Sequence, residues 1–95
     1  MKAHQYRITV EYLADPQGNK PDREPLRFEC GNHDEILTIV SKLQSREEFT
    51  EESAKAFGVG LKLFGEVILQ NRDTALFASL MPHFMEIMRE IKKGI

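Results

Sequence analysis

The sequence predicts an α+β domain in which an N-terminal antiparallel β-hairpin is followed by three helices packed on one face of it. Two short segments alternate apolar and polar residues, and a loop rich in Pro, Gly, Asn and Asp separates them. Three later segments carry apolar residues at helical spacing, which completes the order ββααα. The 95 residues are expected to form one domain, 1–95. Its strands are predicted at about 4–13 and 25–30, and its helices at about 33–44, 51–70 and 82–93.

The first strand is predicted from the strict alternation between His4 and Leu13. One face of this segment carries Tyr6, Ile8, Val10 and Tyr12. Aromatic and β-branched residues on one face are typical of a half-buried strand. The turn-forming residues that follow, from Asp15 to Asp22, predict an exposed loop.

The second strand is shorter, and its apolar residues are Leu26, Phe28 and Cys30. Pairing Tyr12 with Leu26 places every apolar side chain of the hairpin on one face. The same register sets Glu11 opposite Arg27, a favourable cross-strand pair of opposite charges.

Capping residues locate the first two helices. Asn32 followed by Glu35 resembles a capping box and predicts the start of the first helix. Thr50 is the predicted N-cap of the second helix, which is about 30 Å long at 1.5 Å per residue. Pro82 suits the first turn of the third helix, and residues 76–80 are predicted to form a separate short helical turn.

The second helix contains three glycines, Gly58, Gly60 and Gly65. Each costs about 1 kcal/mol relative to alanine, so another element is expected to cross the helix closely. Gly58 and Gly65 share one face, where we predict close helix packing. Gly60 lies elsewhere on the circumference, and the sequence leaves open whether it kinks the helix. A phosphate-binding loop is not expected, because such glycines lie between a strand and a helix rather than inside one.

No set of residues converges on a catalytic or metal-binding chemistry. His83 and Glu86 have the spacing of some metal ligands, but neither a Cys-x-x-Cys nor a His-Glu-x-x-His motif accompanies them. Cys30 falls on the apolar strand face, where thiols are usually inert, so activation by His33 is not expected. The sequence therefore predicts no cofactor and no metal ion, and it favours a protein that is not an enzyme.

The charge pattern excludes two classes of partner. The formal net charge is −2 with both signs interspersed, so neither nucleic acid nor an anionic membrane is an expected partner. No apolar run approaches the roughly 20 residues that span a bilayer. A single cysteine precludes an intrachain disulfide and fits a reducing compartment. We expect a cytoplasmic protein.

The outer edge of the long first strand has no partner in the sequence. Either a helix covers this edge, or a second chain pairs with it to give a continuous four-stranded sheet. A homodimer is favoured because a chain of this length buries only about 60–65% of its unfolded surface. Whether the hairpin edge or the helices form the interface stays open. A protein partner is a further hypothesis, with Met81, Met85 and Met88 as an adaptable apolar surface.

Four segments resemble a small bacterial family known only as a domain of unknown function. They are HQYRITVEYL, NHDEIL, FGVGLKLFGEVILQNRD and LFASLMPHF. The resemblance covers nearly the whole chain, although the loop from Asp15 to Pro25 carries little of it. It implies a bacterial, cytoplasmic, single-domain protein and carries over no activity, cofactor or catalytic residue.

Two functional hypotheses follow. The first is a non-enzymatic domain that associates with itself or with a protein partner. The second is a small-molecule-binding protein or an enzyme, with a pocket between the hairpin and the glycine-bearing helix. The candidate lining of that pocket consists of Tyr6, Tyr12, Lys62, Glu66 and His83.

Overall fold

A hairpin of two strands precedes three helices in the computed structural model of the chain, which describes residues 3–93. The strands are β1 (His4–Val10) and β2 (Leu26–Asn32), and the helices are α1 (Ile36–Gln44), α2 (Glu51–Gln70) and α3 (Ala75–Lys92). This order confirms the predicted α+β architecture. Contacts divide the chain into two compact units, Met1–His33 and Asp34–Ile95. Residues 1, 2, 94 and 95 of the predicted domain lie outside the described residues, and the single domain stays a prediction.

The hairpin is antiparallel, but its predicted register is wrong by two residues. Leu26 lies opposite Val10 rather than Tyr12, and β1 ends at Val10 rather than near residue 13. An even shift leaves the same side chains on each face, so the predicted apolar face is kept.

The shift replaces the predicted charge pair. Arg27 lies opposite Thr9 instead of Glu11. Arg7 and Glu29 face one another, with 2.8 Å between Nη2 and Oε2. Both side chains are exposed, so the pair favours this register only weakly.

The loop between the strands is folded on itself at Asp15. The Asp15 carboxylate accepts hydrogen bonds from the backbone N–H groups of Gln17 and Asn19, at 3.0 and 2.9 Å. The backbone N–H of Asp15 donates to the Asn19 carbonyl at 2.7 Å. Gly18 adopts a φ of 92° in this turn, a conformation that glycine favours. Because the chain turns here, the residues after Val10 lead into the loop instead of extending β1.

α1 begins later than predicted. β2 continues to Asn32, which pairs with His4, so Asn32 is not the N-cap. Glu35 is the N-cap instead: its Oε2 accepts from the N–H groups of Leu37 and Thr38 at 2.7 and 3.2 Å. A carboxylate at this position also interacts favourably with the positive end of the helix dipole.

α2 occupies the range predicted from the sequence and runs uninterrupted through Gly60. Thr50 is its N-cap and forms a reciprocal capping box with Ser53. Thr50 Oγ1 accepts from the Ser53 N–H at 3.0 Å, and Ser53 Oγ accepts from the Thr50 N–H at 2.9 Å. α1 and α3 both pack on α2. The buried apolar residues are Ile36, Val40, Leu43, Ala54, Ile68 and Phe84.

α3 is one helix that begins at Ala75, so the predicted start at Pro82 and the separate turn over residues 76–80 are wrong. Inside a helix, Pro82 has no N–H to donate to the Ala78 carbonyl, at a cost of about 3 kcal/mol. Side chains that are buried or half-buried nevertheless recur at helical spacing on both sides of the proline: Phe77, Met81, Phe84, Met88 and Ile91. Burying this continuous face offsets the cost of the missing hydrogen bond.

Candidate functional site

Two glycines of α2 determine how closely the other helices approach it. A Cβ on Gly58 would lie 3.0 Å from Val40 Cγ2 and 3.1 Å from Leu43 Cδ1, both on α1. A Cβ on Gly65 would lie 2.5 Å from Phe84 Cζ, on α3. α1 and α3 therefore contact one face of α2 at two levels, about 10 Å apart along the helix axis.

The three helices leave a groove between these two contacts, with a volume of about 480 Å³. α1, α2 and α3 all contribute side chains to the lining of the groove. The apolar lining consists of Ile39, Leu43, Leu61, Met88 and Ile91. Small-molecule sites in proteins have volumes of about 300–1,000 Å³, so the groove has the dimensions of a ligand site.

Charged side chains surround this apolar lining. Lys62 is only 15% exposed, and its Nζ lies 2.6 Å from Asp34 Oδ2. Lys42 and Arg46 stand on one wall and Lys92 on the other. Within residues 3–93, neither Lys42 nor Lys92 forms an ion pair. Among the described residues, the groove thus combines an apolar lining with two ammonium groups that form no ion pair.

Arg46 closes one end of the groove. Its Nη1 donates to the Ile91 carbonyl at 2.8 Å, and its Nε and Nη2 donate to the Glu48 carboxylate at 3.1 and 2.8 Å. These hydrogen bonds hold the pKa of Glu48 below its ordinary value. The Arg46 side chain is only 17% exposed, and its hydrogen bond to Ile91 joins the segment after α1 to the last turn of α3.

A second feature of α2 is a set of four residues, Phe57, Gly60, Phe64 and Val67, which we call the α2 stripe. The three side chains are 38, 47 and 46% exposed, and a Cβ on Gly60 would meet no atom within 4 Å. At 3.6 residues per turn, the four positions fall within an arc of about 80°. The α2 stripe is therefore a continuous apolar strip that the described chain leaves largely uncovered.

Intrachain ring contacts hold the two phenylalanines of the α2 stripe in place. Phe57 packs against Phe49, with ring centroids 5.0 Å apart, and Phe64 lies edge-on to Phe84 at 6.0 Å. Such contacts restrict the rotamers that both rings can adopt.

The five predicted pocket residues lie in different parts of the structure. Lys62 lines the groove. Tyr12 lines an open concavity at the ends of the hairpin strands. Tyr6 lies on β1, Glu66 is buried on α2, and His83 is exposed on α3; none of these three lines the groove. The pocket between the hairpin and α2 stays a prediction.

The basic end of the groove lies outside the residues that sequence reasoning selected. Arg46 and Ile91 are 45 positions apart, and no periodicity relates them. The one local signal is the Arg46-x-Glu48 pair, an opposite-charge pair in the polar segment between two helices. Lys92 lies in the last turn of α3, where its charge also complements the negative end of the helix dipole.

An antiparallel hairpin followed by three helices defines this protein as a small α+β domain. The chain belongs to DUF3861, a family described as a domain of unknown function with solved structure, whose sequence profile matches residues 4–93. A crystal structure of a protein of unknown function from Pectobacterium atrosepticum SCRI1043 is similar. It has 37% sequence identity and a TM-score of 0.80, and the match covers 96% of this chain and 98% of that one. The predicted resemblance to an uncharacterised family is confirmed.

No curated protein matches the chain significantly. In the span 3–93, no helix is long and apolar enough to cross a membrane. The same span holds no group of three or more His, Cys, Asp or Glu residues that could hold a metal ion.

Proposed function

We propose that this protein is a non-enzymatic cytoplasmic protein that works by association, and that a second copy of the chain docks on the α2 stripe. Gly60 carries the proposal. A glycine in an exposed helical position costs about 1 kcal/mol relative to alanine, and nothing in the chain lies within 4 Å of its Cβ position. Close approach of a partner helix accounts for a glycine that the chain's own packing does not require.

The composition of α2 supports the same conclusion. Between Phe57 and Leu69, the only charged residues are Lys62 and Glu66. A helix that is apolar on nearly all sides is normally buried in the working form of a protein. α1 and α3 cover one face of α2, and a partner on the α2 stripe would cover another.

The α2 stripe is complementary to itself, which favours a second copy over an unrelated protein. In an antiparallel pair of α2 helices related by a two-fold axis, Gly60 can lie opposite Phe64 of the partner subunit. In that alignment Phe57 falls opposite Val67 of the partner subunit. Each ring then meets a smaller residue, and symmetry repeats both contacts. Spacings of three and four residues are those of interlocking helix pairs.

Replacement of Gly60 by lysine tests this interface. The new side chain occupies space that is open in the single chain but is filled by the partner in the pair. We expect sedimentation equilibrium at micromolar concentration to show the native chain at about 22 kDa, twice the chain mass of 11.0 kDa. Gly60→Lys should weaken dimerisation by about 5- to 150-fold, which corresponds to a 1–3 kcal/mol overpacking penalty.

Leu37→Lys is the matched control, because Leu37 is an exposed apolar residue on α1 and lies outside the α2 stripe. It introduces the same charge and should leave the dimer intact. Circular dichroism should show that Gly60→Lys remains folded, since lysine favours helix more than glycine does. A native chain that is strictly monomeric, or a Gly60→Lys dimer of unchanged affinity, would contradict the proposal.

A further inference from the structure

We infer that the groove between α1, α2 and α3 binds a single-chain anionic amphiphile, a carboxylate with an unbranched alkyl tail. The lining is mainly apolar and comes from all three helices, with Ile39, Leu61 and Met88 as representatives. Apolar burial of this kind is non-directional and favours a hydrocarbon tail. The inference concerns a different surface from the α2 stripe and does not depend on self-association.

The charges at the Arg46 end of the groove select an anionic head group. Lys42, Arg46 and Lys92 stand there, and within residues 3–93 the one carboxylate paired with them is that of Glu48. Lys42 and Lys92 also lie in the last turns of α1 and α3, where each helix end carries roughly half a negative charge. Those partial charges offset only part of the positive charge. A net positive end remains beside an apolar surface.

The other end of the groove is electrically compensated. Asp34 precedes α1 and neutralises Lys62, whereas Lys42 and Arg46 lie at the far end of that helix. α1 has 9 residues, so about 13 Å separates the two ends. This asymmetry orients the ligand, with its carboxylate near Lys42 and Lys92 and its tail directed toward the compensated end.

The dimensions favour a free small molecule over a lipid surface. A volume of about 480 Å³ lies within the range of about 300–1,000 Å³ usual for small-molecule sites. The chain as a whole is acidic, with a formal net charge of −2, so an anionic bilayer would repel rather than recruit it. The local positive charge is confined to one end of a recess.

Titration with decanoate, followed by NMR below its micelle concentration, tests the inference. We expect saturable one-to-one binding, with the largest shifts at the methyl groups of Ile39, Leu61 and Met88. Decanol, which has the same tail without the charge, should bind at least about tenfold more weakly, and acetate should cause no shift at these methyl groups. The double variant Lys42→Met/Lys92→Met keeps the length of both side chains and should weaken decanoate binding about tenfold or more.

Lys55→Met is the matched control, since Lys55 is an exposed lysine on α2 outside the groove, paired with Glu52. Its decanoate affinity should equal that of the native chain. The inference is overturned if decanoate fails to bind or if decanol binds as tightly as decanoate. It is also overturned if Lys55→Met weakens decanoate binding as much as the double variant does. Gly60→Lys should still bind decanoate. The experiments therefore distinguish a wrong proposal about self-association from a wrong inference about the groove.

Discussion

At the scale of single residues, the three glycines of α2 have three different surroundings. Gly58 faces two side chains of α1, Gly65 faces the ring of Phe84, and Gly60 faces open space. The sequence shows only that each glycine weakens an isolated helix by a similar amount. The residues around each glycine determine what its lower helix propensity allows. At two positions it allows close packing within the chain, and at Gly60 it leaves open space on the surface.

Gly65→Ala should lower stability more than Gly58→Ala. The added methyl group at position 65 would lie 2.5 Å from Phe84 Cζ, and the ring is buried, so it has little freedom to move away. At position 58 the nearest side-chain atoms lie at 3.0 and 3.1 Å and need to move only a few tenths of an ångström. We expect a loss of about 1–3 kcal/mol for Gly65→Ala, reduced by the better helix propensity of alanine. Urea unfolding of both variants measures the two losses of stability. A larger loss for Gly58→Ala than for Gly65→Ala would contradict the packing described for α3.

The Arg46–Glu48 pair should make stability depend on pH in the acid range. Hydrogen bonds from Arg46 lower the pKa of Glu48 in the folded protein. The pair therefore stabilises the fold above the unfolded-state pKa of Glu48, and this contribution is lost as pH falls through the lowered pKa. In urea unfolding, Glu48→Gln should be less stable than the native chain at neutral pH, and the difference should shrink as the pH becomes acidic.

Glu47→Gln is the control for this pH dependence, because Glu47 is the preceding residue and is exposed. It removes the same charge without removing hydrogen bonds from Arg46. A difference between Glu48→Gln and the native chain that stays constant from neutral to acidic pH would show that the Glu48 charge does not stabilise the fold.

At the scale of secondary-structure elements, α3 shows how packing overrides a local signal. Pro82 by itself predicts a helix boundary, yet the helix continues because side chains on both sides of the proline share one packing face. The proline is exposed, so its ring disturbs no core contact. What remains is a missing hydrogen bond to Ala78.

Pro82→Ala should therefore stabilise the protein. Alanine restores an N–H donor to the Ala78 carbonyl, and the gain is partly offset because proline also restricts the unfolded chain. We expect an increase of about 1–2 kcal/mol in the free energy of unfolding. Ser79→Ala, also exposed on α3, is the control for helix propensity alone and should gain no more than about 0.5 kcal/mol. A decrease for Pro82→Ala would show that the helix needs the proline.

Which segments form strands and helices is largely predictable from the sequence, but the strand register and the start of α3 are not. Alternation defines which side chains of the hairpin share a face, and this survives any even shift, so it could not distinguish Tyr12 from Val10 as the partner of Leu26. The turn at Asp15 decides between them, through hydrogen bonds that residue types alone do not specify. For the same reason Asn32 resembled a helix cap, although pairing with His4 makes it the last residue of a strand.

At the scale of the whole molecule, more large apolar side chains are exposed than buried among the described residues. Of the apolar residues that the structure describes, only six are buried, and three of the large exposed ones form the α2 stripe. A short chain gains little from its own core, so covering further apolar surface by association is a natural source of stability. The candidate site was only partly predictable on this scale: Lys62 and the glycines stand out in the sequence, whereas the basic end of the groove depends on contacts between distant segments.

The hydrogen bond from Arg46 to Ile91 also bears on the order in which the helical unit assembles. α1 and α2, and likewise α2 and α3, are neighbours along the chain and are joined by short connections. The Arg46–Ile91 bond instead closes a loop of 45 residues, which carries a larger entropic penalty than either local pairing. Because this penalty must be met before the contact forms, we expect the Arg46–Ile91 bond to form after the two local helix pairings. The basic end of the groove is therefore expected to be completed last when the helical unit folds.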